Sequence, residues 1–175
     1  FKIKEIDERF KILKPDSTGV DLGAAPGGWC QVALERGVKK VVAIDLLPVD
    51  SLGPELISFE MDFMDDEAPD QLIDALDGVK PNVVMSDMAH NTVGHKNTDH
   101  LKIMALVEAG YYFARDVLEL NGTYIAKVFQ GGASNDLLAL AKREFKTIRH
   151  FKPPASRKES SETYLIATGF KGKSE

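Results

Sequence analysis

Short runs of apolar, β-branched residues alternate along the chain with stretches whose apolar positions recur every three or four residues. The first pattern predicts buried strands and the second predicts helices with one apolar face. Strands are expected near Gly19–Leu22, Val41–Leu46, Leu56–Glu60, Asn82–Ser86, Thr123–Val128, Thr147–Phe151 and Tyr164–Thr168. Helices are expected over Gly28–Arg36, Asp70–Leu76, Thr98–Leu120 and Ser134–Phe145. In the longest of these, Leu101, Met104, Val107, Tyr111, Ala114 and Leu118 form one stripe that should pack on a sheet. Alternation of the two element types is the signature of a doubly wound parallel sheet. The last two strands are joined by Lys152–Thr163, which holds Pro153-Pro154 and no helical pattern. That connection suits an antiparallel return better than a parallel crossover. The expected fold is α/β: a Rossmann-like, doubly wound, seven-stranded and mostly parallel sheet with an antiparallel last strand. Ligands of such sheets gather beyond the carboxyl ends of the parallel strands. An antiparallel final strand brings its beginning to that same edge.

Composition changes this picture little. With 175 residues, 43% hydrophobic and 28% charged, the chain reads as one domain. No apolar run approaches the ~20 residues of a membrane helix, so no membrane partner is expected. The chain opens at Phe1 without a Met, and a trimmed N-terminus is expected. The single Cys30 excludes an internal disulfide and fits a reducing, cytoplasmic setting. One cysteine and four scattered histidines give no metal-ligand spacing, so no metal is expected.

Charge is more informative than its sum. From Val41 to Val79 there are eleven Asp or Glu and no Lys or Arg. The whole chain is −5 and that stretch −11, so the remainder carries +6, the sign of a polyanion-binding face. From Lys142 to Lys158 there are seven Lys or Arg against the lone Glu144. Solvated helix and loop faces would give the same count, so charge alone does not assign a partner.

The run Val20-Asp21-Leu22-Gly23-Ala24-Ala25-Pro26-Gly27-Gly28-Trp29 carries the candidate chemistry. A buried strand turns sharply through small residues into a helix, and glycines there let backbone approach a ligand that a Cβ would exclude. The next strand ends in Asp45, twenty-two residues after Gly23. An acidic residue at that distance bonds a ribose hydroxyl in nucleotide-binding α/β units. Ala25 stands where a dinucleotide fingerprint needs its second glycine, so a nucleoside without a pyrophosphate fits better. S-adenosylmethionine is the foremost candidate.

Other residues should converge on the same edge. Asp87 lies where an apolar strand, Val83-Val84-Met85-Ser86, reaches the cleft. Lys127 interrupts the apolar strand Tyr124-Ile125-Ala126 and needs a partner, which Asp87 on the adjacent strand can supply. Glu162 precedes the final strand; an exposed loop carboxylate is the plainer reading of it from spacing alone.

These residues make the chain resemble the FtsJ/RrmJ family of S-adenosylmethionine-dependent RNA ribose 2′-O-methyltransferases. The likeness runs nearly end to end: Phe1-Lys2-Ile3, Asp21 to Trp29, Asp45-Leu46-Leu47-Pro48, Ser86-Asp87-Met88-Ala89, Lys127-Val128-Phe129-Gln130-Gly131, and Ser156-Arg157 through Glu162 to Gly169. The resemblance implies the class I methyltransferase fold and a reaction carried by Lys2, Asp87, Lys127 and Glu162. It also implies that Gly23, Gly27 and Trp29 line the methionine and ribose end of the cofactor. Asp45 should hold the ribose hydroxyls, Asp62 the adenine amino group, and Asp87 the methionine part. The implied partner is ribosomal RNA or the large ribosomal subunit, the acceptor a uridine ribose, and the enzyme a monomer. Where family members commonly carry Pro after Ser-Asp-Met-Ala, this chain has His90, expected to alter the loop and not to add a base.

Methyl transfer to a hydroxyl is an in-line displacement that needs alignment and removal of a proton from a weak acid. Lysine ordinarily titrates near 10.4 and is protonated at neutral pH. Burial and nearby cations favour the neutral amine, whereas Asp87 and Glu162 favour the charged one. Lys127 is therefore expected to act as base or as orienter of the hydroxyl, with Lys2 and Glu162 positioning the ribose. Basic candidates for RNA phosphates are Lys4, Arg9, Lys142, Arg143, Lys152, Arg157 and Lys158. Readings that share parts of the pattern are a tRNA ribose methyltransferase, a non-catalytic RNA-binding module, an NAD(P) oxidoreductase and a small-molecule O-methyltransferase.

Overall fold

The computed structural model describes residues 2–88, 96–129, 133–152 and 162–174, apart from the side chains of residues 96–100, 129 and 162. The chain runs α1 (Lys2–Phe10), β1 (Thr18–Leu22), α2 (Gly28–Glu35), β2 (Lys40–Asp45), β3 (Leu56–Glu60), α3 (Ala68–Leu76) and β4 (Val83–Ser86). It continues through α4 (Lys96–Val117), β5 (Thr123–Phe129), α5 (Asn135–Glu144), β6 (Phe145–Phe151) and β7 (Glu162–Phe170). The strands form one seven-stranded sheet in the order β3-β2-β1-β4-β5-β7-β6. Pairings among β3, β2, β1, β4 and β5 are parallel, and β7 runs antiparallel to both β5 and β6. The doubly wound sheet with its reversed last strand is as the sequence pattern predicts.

The central strands read as continuous apolar runs because helices cover both faces. Alternate residues go to opposite sides. Val20, Leu22, Val42, Ile44, Val84 and Tyr124 pack beneath α3, α4 and α5. Val41, Ala43, Val83, Met85, Ile125, Tyr164 and Ile166 pack on the other face with α1 and α2. This second layer matters for the site, because it fixes which side chains emerge at the sheet's edge on that face.

Helix α1 is not among the elements that the pattern predicts. Its Ile3 and Ile6 are fully buried in the α1/α2 layer, and Phe10 packs against it. Burying each isoleucine stabilises docking by roughly 1.5–3 kcal/mol. Asp7 then fixes the helix's exit: Oδ1 accepts from the Leu13 amide at 2.8 Å, and Oδ2 lies 3.4 Å from the Arg36 guanidinium. The stripe expected on α4 needs correction at Leu101 and at Met104, the second only half-buried. Leu101 is 64% exposed, and the buried row starts instead at Ile103 and runs through Val107, Tyr111, Ala114 and Leu118. Among the described residues no helix is long and apolar enough to cross a membrane.

Candidate active site

Period-two alternation brings the acidic and basic candidates to one face. Asp45 is two residues past Ala43 on β2, Asp87 two past Met85 beyond β4, and Lys127 two past Ile125 on β5. Their carbon neighbours all lie in the α1/α2 layer, so these side chains emerge on that side at the carboxyl ends of the strands. Lys127 Nζ sits 2.8 Å from Asp87 Oδ1, with the two side chains 18% and 26% exposed. The lysine thus meets the partner that its apolar strand demands, at the edge of the sheet and not in the core. Lys2 opens α1, the helix whose Ile3 and Ile6 sink into the same layer. Glu162 opens β7 in register with Phe129, at this same edge; its side chain lies outside the described residues, as do Phe1, His90, Arg157 and Lys158.

The glycine turn is built by close approach. Gly23 has φ of +81°, and its amide and that of Ala24 both donate to the Ile44 carbonyl, at 2.8 and 3.1 Å. A Cβ on Gly23 would stand 2.7 Å from both the Asp87 carbonyl oxygen and Met88 Cα. Only a glycine lets β1 and β4 leave the sheet side by side here. Gly23→Ala is therefore expected to cost at least the roughly 1–2 kcal/mol of a left-handed alanine. It should also weaken nucleoside binding about tenfold or more, checked by melting and by cofactor titration calorimetry; unchanged affinity would refute this role of the turn.

Asp45 ties the turn to β2. Its Oδ2 accepts from the Ala25 amide and its Oδ1 from the Leu47 amide, both at 2.9 Å. Each carboxylate oxygen has a second lone pair, so hydroxyl donors can still be received. Asp62 follows β3, and its Oδ1 accepts from the Met64 amide at 2.9 Å. It caps a turn there; α3 begins six residues later, at Ala68, so a helix-capping role does not apply. Trp29, half-buried in the first turn of α2, lies against Tyr164, with ring centroids 5.8 Å apart. The N-terminus of α2 carries no side-chain cap and no acidic residue in its first turn, leaving its amides available to an anionic group.

Sequence reasoning assigned no role to one member of this cluster. Asp21 is fully buried on β1 between the strands that carry Asp45 and Asp87. Its Oδ2 accepts from Cys30 Sγ at 3.2 Å, and Oδ1 has no hydrogen-bond partner among the described residues. Burial, partly offset by the Cys30 contact, pushes its carboxyl up to about 7, with Asp87 and Asp45 adding to the rise. The same burial, with the Asp21 carboxylate beside it, pushes the Cys30 thiol far above its usual range. The signal was available, since an Asp inside an apolar central strand covered on both faces cannot reach water.

A glycine turn and an adjacent amine–carboxylate pair at the carboxyl edge of a doubly wound sheet fit a group-transfer enzyme that uses a nucleoside cofactor. A family model described as FtsJ-like methyltransferase matches residues 1–170, and the chain belongs to that family. It is 58% identical over 172 residues to the ribosomal RNA large subunit methyltransferase E of Gluconobacter oxydans, covering 98% of this chain and 63% of that relative. Against the protein of the same name from Caulobacter vibrioides it is 52% identical, covering 99% of this chain and 76% of the relative. A crystal structure from Plasmodium falciparum, of a protein assigned as a ribosomal RNA methyltransferase, superimposes with a TM-score of 0.84 at 29% identity, covering 98% of this chain and 96% of that one.

Proposed function

We propose that this chain methylates large-subunit ribosomal RNA at a uridine ribose 2′-hydroxyl, with S-adenosylmethionine as donor. The observation that carries the reading is the Lys127–Asp87 pair at the lip of the sheet, beside the glycine turn and on the face where α1 brings Lys2. The residues fit the donor. The Gly23 turn leaves no room for a Cβ, the Asp45 carboxylate is anchored beside it, and the uncapped α2 N-terminus offers amides to a carboxylate. When bound, the cofactor supplies an electrophilic methyl on a sulfonium.

The chain's own side chains do the remainder. Gly23, Gly27 and Trp29 line the methionine and ribose end, Asp45 receives the ribose hydroxyls and Asp62 the adenine amino group. Lys127, held by Asp87, receives the proton of the ribose hydroxyl or orients it, and Lys2 and Glu162 position the ribose. Fixing this geometry removes much of the entropic part of the barrier. The names of the bacterial relatives support ribosomal RNA as acceptor, and the reading takes the cytoplasm as the site of action. The reading further takes the matched region as a single catalytic domain that acts as a monomer.

The test is labelled-methyl transfer to large subunits and to their free RNA, prepared from cells lacking the protein. The product should resist alkaline cleavage at the modified position, because the 2′-oxygen is no longer free to attack the phosphate. RNA binding should also weaken steeply with salt. Label on a base, or none on RNA, would reject the reading.

A further inference from the structure

The geometry points to a phosphate-docking site centred on Arg9, at the outer end of the catalytic rim. Arg9 would bind the RNA backbone flanking the nucleotide held at Lys127. This inference rests on the RNA methyltransferase reading and extends it to a residue and a contact.

Three strands place the site. Tyr164 on β7 is in register with Lys127 on β5 and with Phe151 on β6. Adjacent strands are about 4.8 Å apart, so Phe151 lies two strand spacings from Lys127 along the same rim. That puts it within reach of nucleotides next to the target. Phe151 packs edge-on against Phe10 of α1, with centroids 5.4 Å apart. The exposed Arg9 guanidinium lies over both rings, 5.6 Å from the Phe10 centroid and 5.3 Å from that of Phe151.

This arrangement does two things for the guanidinium. Stacking on rings fixes a long side chain that would otherwise lose rotamer freedom on binding. It also leaves the planar fork of N–H donors at the rim, where a phosphate can be met by two of them. Among the described residues no carboxylate pairs with Arg9, and Asp7 and Glu8 of the same helix turn instead to Arg36, at 3.4 and 3.9 Å. The exposed Arg149, in register with Ile166 on the Phe151 face, and Lys152 extend the positive character along β6. The opposite edge of the sheet, β3 and α3, belongs to the acidic stretch, so a polyanion is steered toward this end. An aromatic–arginine platform next to single-stranded RNA is a general recognition device.

The test compares the wild type with Arg9→Ala and Arg9→Gln, using large-subunit ribosomal RNA as probe. Lys173→Ala serves as control; it removes a cation that pairs with Asp116 on α4. For the Arg9 variants, the slope of log affinity against log salt should flatten by roughly 0.7, the share of one phosphate on a single strand. KM for RNA should rise several-fold with kcat and S-adenosylmethionine affinity unchanged, and the control should leave slope and KM as they were. An unchanged slope and KM in folded Arg9 variants would overturn the site, as would a fall in kcat with KM constant. Wild type that binds this RNA without salt dependence would instead overturn the methyltransferase reading, independently of Arg9.

Discussion

Replacing Lys127 with methionine is expected to lower methyl transfer by roughly 10²–10⁴-fold, while cofactor affinity stays within a few-fold of wild type. Methionine keeps much of the aliphatic stem that β5 half-buries and removes only the amine that meets Asp87. The loss should therefore fall on kcat, where proton removal and hydroxyl alignment are felt, and little on melting temperature. Single-turnover kinetics with labelled donor, together with calorimetric titration of the cofactor, separate the two quantities. A Lys127→Met protein that turns over near the normal rate would remove the amine from the mechanism. Asp87→Asn is not equivalent, because it keeps the amine and removes the charge that holds it.

The second large effect is on stability and lies on the opposite face. Glu144 is fully buried at the end of α5 and accepts from the Tyr111 hydroxyl at 2.7 Å, Arg115 Nε at 2.9 Å and Nη2 at 2.5 Å, and the Ser174 amide at 2.6 Å. One carboxylate thus joins α4, α5 and the C-terminal segment. Glu144→Ala would leave the Arg115 guanidinium, 16% exposed, without its partner. A cost of roughly 3–5 kcal/mol is expected, or a melting temperature lower by on the order of 10 °C.

The pH dependence has a definite sign. Although burial alone would raise it, the Arg115 and Tyr111 hydrogen bonds and the Ser174 amide hold the Glu144 carboxyl down at about 2, against an ordinary 4.5. Its folded form loses protons more readily than its unfolded form, so its contribution is complete above pH 4.5 and disappears as the pH falls toward 2. In Glu144→Gln that part of the acid limb should vanish, while cofactor affinity at neutral pH is unchanged. Melting curves between pH 2 and 6 check this; a parallel acid limb in the variant would contradict it.

What the chain revealed before its fold was known follows from the range of each interaction. Period-two alternation is local, so the strands were legible, and their ends put Asp45, Asp87 and Lys127 at one edge; that the three share one face of the sheet came only with the fold. The Lys127–Asp87 pair was legible for a different reason: a lysine in an apolar strand demands a carboxylate, and the parallel neighbour had one at its end. Shorter or longer reach defeated the same reasoning. Helix α1 has just nine residues, and its Ile3-Ile6-Phe10 stripe is too brief to set a helical period on its own. Leu101 fitted the helical spacing of α4 yet is exposed, because spacing alone does not say where along a helix its contact with the sheet begins.

The Arg9 platform and the Glu144 network join positions far apart in the chain, and nothing in local spacing announces them. Glu144 did leave a trace, as the single acid among seven cations, but a charge count reads it as one unit of charge and not as a buried hub.

The most direct measurement is mass mapping of ribose methylation across ribosomal RNA from cells lacking this protein, set against wild type. The account predicts that one 2′-O-methyluridine of the large-subunit RNA disappears, and that it returns with the wild-type gene but not with Lys127→Met. An unchanged ribose methylation map, or a lost mark that lies on a base, would contradict it.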